Sequence, residues 1–407
     1  MLLWRTIANP ERVSGRRCCK GLRGRLVIAI HWGPMPASAV TALPSTISQM
    51  ECLPLDLPLT EPFAIAGGAP SVAQNILVRV VLCDGTVGLG EAAPFAAVSG
   101  ETQASTLLAL REARARIVGQ DVRSLRRLSA ILSEVCPDEP AARAGCELAL
   151  LDAYLRQHRM PMWSYFGGQA TQLKSDLTIT AGDVPHAIAS AQAAYRRGFT
   201  SLKIKVGAQT PAEDAERVSA LYRSLPIGRD PRSTDLSLVL DANGGYSAEQ
   251  ALELLRRLAA ADIPIALFEQ PVARQDRLGL LDVARQSSVP ICADESARSA
   301  ADVMWLIQTR VVRAVNLKLM KSGLYETLAM YEVARAGGLG LMMGGMVEGP
   351  LAMAAAAHLA AGLGGFSFID LDTALFVSNH PFHSEALQDQ ADWQLAGVRS
   401  GHGVTVA

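Results

Sequence analysis

A chain of 407 residues that is 49% hydrophobic but only 5% aromatic is long enough for one large barrel or two domains, and its many Ala and Leu suit a helix-rich enzyme. Basic and acidic residues nearly cancel (38 against 39, net −1), so nothing electrostatic favours nucleic acid or an anionic membrane as a partner. Seven cysteines without a C-x-x-C pair argue against a disulfide framework or a zinc site and for a reducing, cytoplasmic setting.

Residues 1–49 differ in composition from the rest of the chain. Arg5, Arg12, Arg16, Arg17, Lys20, Arg23 and Arg25 face a single acid, Glu11, and the apolar run Leu26–Ile30 is too short to span a bilayer. The composition is that of a transit peptide, but Pro and Gly make its continuation poorly helical. The segment is expected to be a disordered leader or an over-extended start, with Met50 opening the first domain. From Cys52 the pattern turns β-like: Ile76–Leu82 reads as a strand, Asp84-Gly85 as a hairpin turn and Val87–Ala92 as the returning strand. Ahead of them the stretch Ala64–Asn75 carries no charged residue. Three helical periodicities come next, Glu101–Val118, Val122–Val135 and Ala141–Arg156. Strands followed by a helical bundle predict a separate α+β capping domain over residues 50–168, poor in clustered ionisable residues and suited to serve as a lid.

Beyond Gly168 a unit of short apolar strand, turn and helix repeats. Strands are expected at 177–180, 201–205, 236–241, 265–269, 290–293, 314–318, 339–343 and 366–370, with helices such as Glu213–Leu225 and Ala248–Ala261 between them. From the second unit onward the strands close on Lys205, Asp241, Glu269, Asp294, Lys318, Gly344 and Asp370. By subtraction the steps are 36, 28, 25, 24, 26 and 26 residues. That is the spacing of a (β/α)8-type barrel over residues 169–377, and no G-x-G-x-x-G follows the first strand to favour an open doubly wound sheet.

In such barrels chemistry sits at the carboxyl ends of the strands. Each charged residue there has an ordinary explanation by itself: Asp241 and Asp294 as caps, Lys318 as a surface charge, Lys203 and Lys205 as charges on an edge strand. Together on one rim they are hard to dismiss. Asp241, Glu269 and Asp294, on successive strands, can converge on one cation, and an all-oxygen set suits Mg²⁺ better than zinc. Lys205 and Lys318 then face each other across a substrate. A metal with a base on either face suits removal of a proton α to a carboxylate and its return from the opposite side, a racemase or epimerase reaction. The base must be a lysine of lowered pKa, and Lys203 beside Lys205 adds the positive potential that lowers it.

These residues resemble the enolase superfamily, and within it the muconate-lactonizing-enzyme subgroup. The motifs are Lys203-Ile-Lys205, Asp241-Ala-Asn243, Phe268-Glu269-Gln270-Pro271, Ala293-Asp294-Glu295-Ser296 and Asn316-Leu-Lys318-Leu-Met-Lys321, with Gly90-Glu91 and the run ending at Asp152 in the first domain. The resemblance implies a modified (β/α)7β barrel, a C-terminal segment (378–407) returning to the capping domain, one Mg²⁺ and a homo-oligomer. The pair Asp370 and Asp372, in Phe-Ile-Asp-Leu-Asp, is most similar to dipeptide epimerases of the L-Ala-D/L-Glu type, where such a motif binds the substrate's free α-ammonium. The same likeness implies substrate contacts for Lys203, Thr178 and Ser296.

The seventh-strand motif departs from the family pattern at Gly345 and Gly349. Without a lysine or arginine in Ala64–Asn75, a neutral or hydrophobic second residue is expected in place of Glu. Two other readings remain open: cycloisomerisation, o-succinylbenzoate synthesis or N-acylamino acid racemisation on the same site, and a non-catalytic metal- or peptide-binding barrel.

Overall fold

The computed structural model describes residues 43–64, 68–227 and 236–407. Residues 1–42 of the expected leader, and 65–67 of the uncharged loop, lie outside the described residues. The first strand, Ile47–Pro58, starts three positions ahead of Met50 and pairs antiparallel with Val72–Leu82, which pairs in turn with Val87–Ala92. The turn at Asp84-Gly85 forms as expected: Gly85 takes the left-handed φ of +86° that a side chain would resist.

The three expected helices are Gln103–Ile117, Leu125–Val135 and Pro140–Gln157. The last is buried on nearly all sides, Glu147 and Asp152 included, as a helix packed between several neighbours is. It lies close against the strand Val87–Ala92 because Gly90 has no Cβ; one built there would sit 2.0 Å from the carbonyl oxygen of Gly145. Hence the glycine in the Gly90-Glu91 motif.

The eight barrel strands are Leu177–Ile179, Ser201–Lys205, Ser237–Asp241, Leu267–Glu269, Ile291–Ala293, Ala314–Leu317, Gly340–Gly344 and Phe368–Asp370. They form one parallel sheet in sequence order, each hydrogen-bonded to the next. A helix follows each of the first seven. The eighth leads only into a short 3₁₀ turn, Thr373–Phe376, which is the (β/α)7β pattern. Among the described residues no ladder joins the eighth strand to the first. Single bonds close that seam: Asp176 N to the Ile369 carbonyl (2.8 Å), Leu371 N to Ser175 Oγ (2.8 Å) and Thr178 N to Asp372 Oδ2 (2.5 Å).

Alternation along each strand divides the side chains. Leu202 and Ile204 join the apolar layer under the helices, whereas Lys203 and Lys205 point inward. Deeper in the barrel a separate apolar plug of Val239, Leu267, Cys292, Ala314 and Met342 fills the lumen. The chemistry is therefore confined to the layer above that plug.

Buried carboxylates tie the capping elements to the barrel. Glu91 accepts hydrogen bonds from Gly349 N (2.7 Å) and Ala352 N (3.1 Å) at the start of the helix Pro350–Leu363, and from Asn75 Nδ2 (2.7 Å). Glu147 does the same for Leu324 N (2.6 Å) at the start of the helix Leu324–Ala336. The C-terminal segment reaches back as well: His402 N donates to Asp152 Oδ1 (3.1 Å), and Arg156 Nη2 to the Val404 carbonyl (2.7 Å). No helix of the described chain is long and apolar enough to cross a membrane.

Candidate active site

Strand register sets the site. Lys205 pairs with Asp241 and Asp241 with Glu269, so these three side chains emerge side by side from the second, third and fourth strands. Asp294 follows the fifth strand by one residue and Lys318 the sixth by one. Counting round the sheet, the second and sixth strands are four apart in an eightfold ring, so Lys205 and Lys318 rise on opposite sides with the three carboxylates between them. All five are buried.

The charges interlock. Lys203 Nζ lies 3.0 Å from Asp241 Oδ2, 2.8 Å from Glu269 Oε2 and 2.6 Å from Asp370 Oδ2. Lys205 Nζ donates to Asp241 Oδ2 (2.7 Å) and to Asn243 Oδ1 (3.1 Å). Lys318 Nζ sits 2.7 Å from Asp294 Oδ2, whose other oxygen accepts from Lys321 Nζ at 2.7 Å. Burial by itself would raise the Asp241 and Asp294 carboxyls. The lysines, Lys203 foremost for Asp241 and Lys318 for Asp294, outweigh it and hold both below the usual range. Glu269 goes the other way, pushed up to about 8 by burial and then by Asp241. Burial would also lower the Lys318 ammonium, but Asp294 leads the acids that raise it instead.

A hard cation fits this set. Glu269 Oε2 and Asp294 Oδ2 are buried, each close to an ammonium but without an aligned hydrogen bond, and the donors are all oxygen. Glu269 Oε1 is oriented by Asn316 Nδ2 (2.7 Å), and Asp241 Oδ1 by the backbone N of Asn243 (2.9 Å). Such outer contacts fix ligand direction.

A narrow cavity opens above. Lys205, Lys318, Thr178, Asp370 and Asp372 line it from the barrel, and Phe63, Phe95 and Val98 close it from the capping side. Thr178 thus lines the same cavity as the two lysines. Lys203 lies lower, enclosed by Asp241, Glu269 and Asp370. Ser296 is placed behind the rim, where its Oγ accepts from Gln270 Nε2 (2.8 Å). Gln270 Oε1 in turn accepts from the backbone N of Asp294 (2.9 Å), so Ser296 belongs to the brace that positions an acid.

Three polar residues carry no role from sequence alone. Lys321 donates to the carbonyls of Asp294 (2.6 Å) and Asn316 (2.7 Å), locking the fifth and sixth strand ends together. Its spacing after Lys318 in the motif is the only signal for it. Glu348, in the seventh-strand loop, is buried and pushed up to about 8 by burial, partly offset by the Met346 N–H. Asp176 lies with Asp370 and Asp372, one carboxylate oxygen from each lying within 4.8 Å of the other two. No sequence pattern reveals it, because the contact arises only where the barrel closes.

Residues 50–167 match the model of the mandelate racemase/muconate lactonizing enzyme N-terminal domain, and residues 186–407 that of the enolase C-terminal domain-like family. The chain belongs to the mandelate racemase/muconate lactonizing enzyme family. Among relatives in that family, an aromatic dipeptide epimerase from Herpetosiphon aurantiacus is 48% identical over 365 residues, covering 90% of this chain and all (100%) of its own. A crystal structure of a mandelate racemase/muconate lactonizing protein from the same organism superimposes with a TM-score of 0.85 at 48% identity, over 90% of this chain and 99% of the other. The dipeptide epimerase of Enterococcus faecalis, solved with Mg and the dipeptide L-Leu-L-Tyr, is 30% identical with a TM-score of 0.83, over 88% of this chain and 99% of its own.

Proposed function

We propose that this protein is a Mg²⁺-dependent dipeptide epimerase, an isomerase that inverts the α-carbon of the second residue of a dipeptide whose second side chain is hydrophobic or aromatic. The observation that carries the reading is the pair Lys205 and Lys318, on opposite strands yet lining one cavity, with Asp370 and Asp372 in the same wall. One neutral lysine takes the α-proton from one face of the carbon, and the other, as an ammonium, returns a proton to the opposite face. The product is the epimer, and the enzyme's proton has changed sides. Asp241, Glu269 and Asp294 would hold the metal, which supplies the positive charge that makes so weak a carbon acid ionisable. Asp370 and Asp372 take the dipeptide's ammonium, and Lys203 keeps the acids of the floor in place.

The capping side supports the neutral second residue. Phe63, Phe95 and Val98 are apolar, and a neighbouring cavity of ≈ 210 Å³ shares Phe95 and Val347 with the first. Pro70, Val72, Ala73, Ala96, Glu101 and Gln103 line it too, and among the described residues no lysine or arginine does. A carboxylate side chain would meet no cation there. A cytoplasmic setting accords with the free thiols of Cys52, Cys83, Cys136, Cys146 and Cys292, and assembly as a homo-oligomer rests on the family resemblance.

The test is incubation of L,L-dipeptides with protein and Mg²⁺ in D₂O, followed by mass spectrometry. L-Ala-L-Phe and similar dipeptides are expected to gain one deuterium at the second α-carbon and to epimerise, whereas L-Ala-L-Glu lags. Absence of α-deuteration in every dipeptide would sink the proposal.

A further inference from the structure

Asp176 is 2% exposed, and its Oδ1 has no hydrogen-bond partner. It stands just ahead of the first barrel strand, at the seam where single bonds replace the ladder to the eighth. Its backbone N is held by the Ile369 carbonyl (2.8 Å), one residue before Asp370. Asp372 Oδ2 is held by Thr178 N, and Asp372 Oδ1 has no partner, like Asp176 Oδ1. Three carboxyls thus meet within 4.8 Å. The cation bonded to any of them among the described residues is Lys203, which touches Asp370 and is already shared with Asp241 and Glu269. Three carboxylates so close cannot all be ionised beside one shared ammonium; at least one keeps its proton, as in any tight carboxyl dyad. Asp370 has the lysine, and Asp372 reaches the cavity where a cation would arrive. Asp176 has neither, and it does not line the cavity. It is the member with no charge to meet.

We propose that Asp176 is a positioning residue for the ammonium end of the substrate: a protonated carboxyl that shares its hydrogen with Asp370 from behind and so fixes the direction in which Asp370 and Asp372 present their negative charge. Burial, followed by the charges of Asp370 and Asp372, raises its pKa well above the usual range, in keeping with a retained proton. The arrangement has a physical rationale. A neutral donor orients an acid without cancelling the charge that the ammonium needs, whereas a second lysine there would cancel it. This assignment rests on the dipeptide reading, and it adds to it a residue that touches neither substrate nor metal.

The experiment compares Asp176→Asn and Asp176→Ala with the parent enzyme. Steady-state kinetics use L-Ala-L-Phe, and inhibition uses its des-amino analogue N-propionyl-L-phenylalanine, which keeps the carboxylate and aromatic ring but lacks the ammonium. Loss of one hydrogen bond to a charged group is worth about tenfold in binding. Asp176→Ala is therefore expected to raise KM for the dipeptide about tenfold, with kcat and the inhibition constant of the analogue little changed. Asp176→Asn, which still donates a hydrogen bond without charge, is expected to restore KM to within about threefold. Melting temperatures confirm that both variants are folded; should Asp176→Ala fail to fold, Asp176→Leu, close to Asp in shape and without a donor, makes the same comparison. Parent-like KM in the Ala variant, or equal weakening of dipeptide and analogue, would overturn the proposal. So would an Asn variant as impaired as the Ala one, since that would mean the group acts by its charge. Inactivity of the parent on every dipeptide would instead overturn the function proposed above, so the two failures are distinguishable.

Discussion

Two sets of buried carboxylates occupy this molecule, and they differ in what meets them. On the barrel rim Asp241 and Asp294 face ammonium groups at 2.7–3.0 Å. In the capping elements Glu91, Glu101 and Glu147 instead face the backbone N–H groups that open the helices Pro350–Leu363, Pro140–Gln157 and Leu324–Ala336. Helix N-termini offer a partial positive charge and orphan donors, enough to satisfy an acid geometrically. They do not offer a full charge. Burial accordingly raises the Glu91 and Glu147 carboxyls despite those hydrogen bonds, while the lysines overcome burial at Asp241 and Asp294. Burial of a carboxyl is thus no mark of an active site in itself. On the rim, the carboxyls meet full countercharges below a cavity lined by both lysines.

The sharpest way to break the comparison is at the lysines. Lys205→Ala or Lys318→Ala is expected to lower kcat for epimerisation by about 10³-fold or more, the scale of losing a positioned acid–base group. Each variant should still exchange the α-proton of one epimer with D₂O, the epimer whose proton faces the remaining lysine. Retention of near-parent epimerisation in either variant would mean that one base suffices. On the capping side the counterpart is Glu91→Ala, which strands the buried N–H groups of Gly349 and Ala352 and leaves Asn75 Nδ2 with the Val347 carbonyl (3.1 Å) as its acceptor. A loss of about 2–3 kcal/mol in unfolding free energy is expected. Glu91→Gln, which keeps one acceptor, is expected to lose less. Equal losses would show that charge matters at the helix terminus after all.

A milder effect is expected back on the rim. Asp372→Asn keeps the shape of the wall and removes one charge facing the cavity. KM for a free-ammonium dipeptide is expected to rise by about tenfold with kcat held within a few-fold, as read from steady-state rates. If kcat falls and KM does not, Asp372 is serving the chemistry and not the ammonium.

The same contrast governs how much of the molecule is legible in the sequence. The rim is legible because strand ends recur at regular spacing, so that Lys205, Asp241, Glu269, Asp294 and Lys318 fall into register once the barrel is recognised. The strands and most helices lie within a few residues of their expected places for the same reason: short apolar runs and helical periods are local signals. The role of the capping acids is invisible, although Glu91 and the run ending at Asp152 stand in the motifs of the family resemblance. Their partners, Gly349, Leu324 and Ala141, lie far along the chain or in plain backbone, which leaves no trace in residue type. The capping domain therefore reads as poor in clustered ionisable residues, although Glu91, Glu101, Glu147 and Asp152 are all buried in it. Asp176 escapes for a related reason, since its neighbours Asp370 and Asp372 are brought to it only by closure of the barrel. Ser296 shows the opposite hazard: it sits in a recognisable motif, yet its hydroxyl braces Gln270.

The smallest effect expected is a pH dependence that Glu101 on the capping side and the pair Asp241 and Asp294 on the rim should show with opposite sign. Glu101 is pushed up from its usual 4.5 to about 7 by burial, partly offset by Ser99 and the Ala141 N–H, with Glu139 adding repulsion. Its folded pKa exceeds its unfolded one, so folding favours the protonated form. The stability it contributes is fully present below about pH 4.5 and is lost as pH rises toward about 7. Asp241 and Asp294, held below the usual range, contribute stability that is present above the ordinary carboxyl range and is lost as pH falls. Glu101→Gln removes the first dependence and leaves the second. Urea unfolding of the variant and parent at pH 5 and pH 7.5 is therefore expected to show a gap that shifts in the variant's favour at the higher pH, by about 1–2 kcal/mol. A gap independent of pH would mean that the Glu101 carboxyl is already ionised at pH 5, and that the helix start at Pro140 meets it with as much effective charge as a lysine does on the rim.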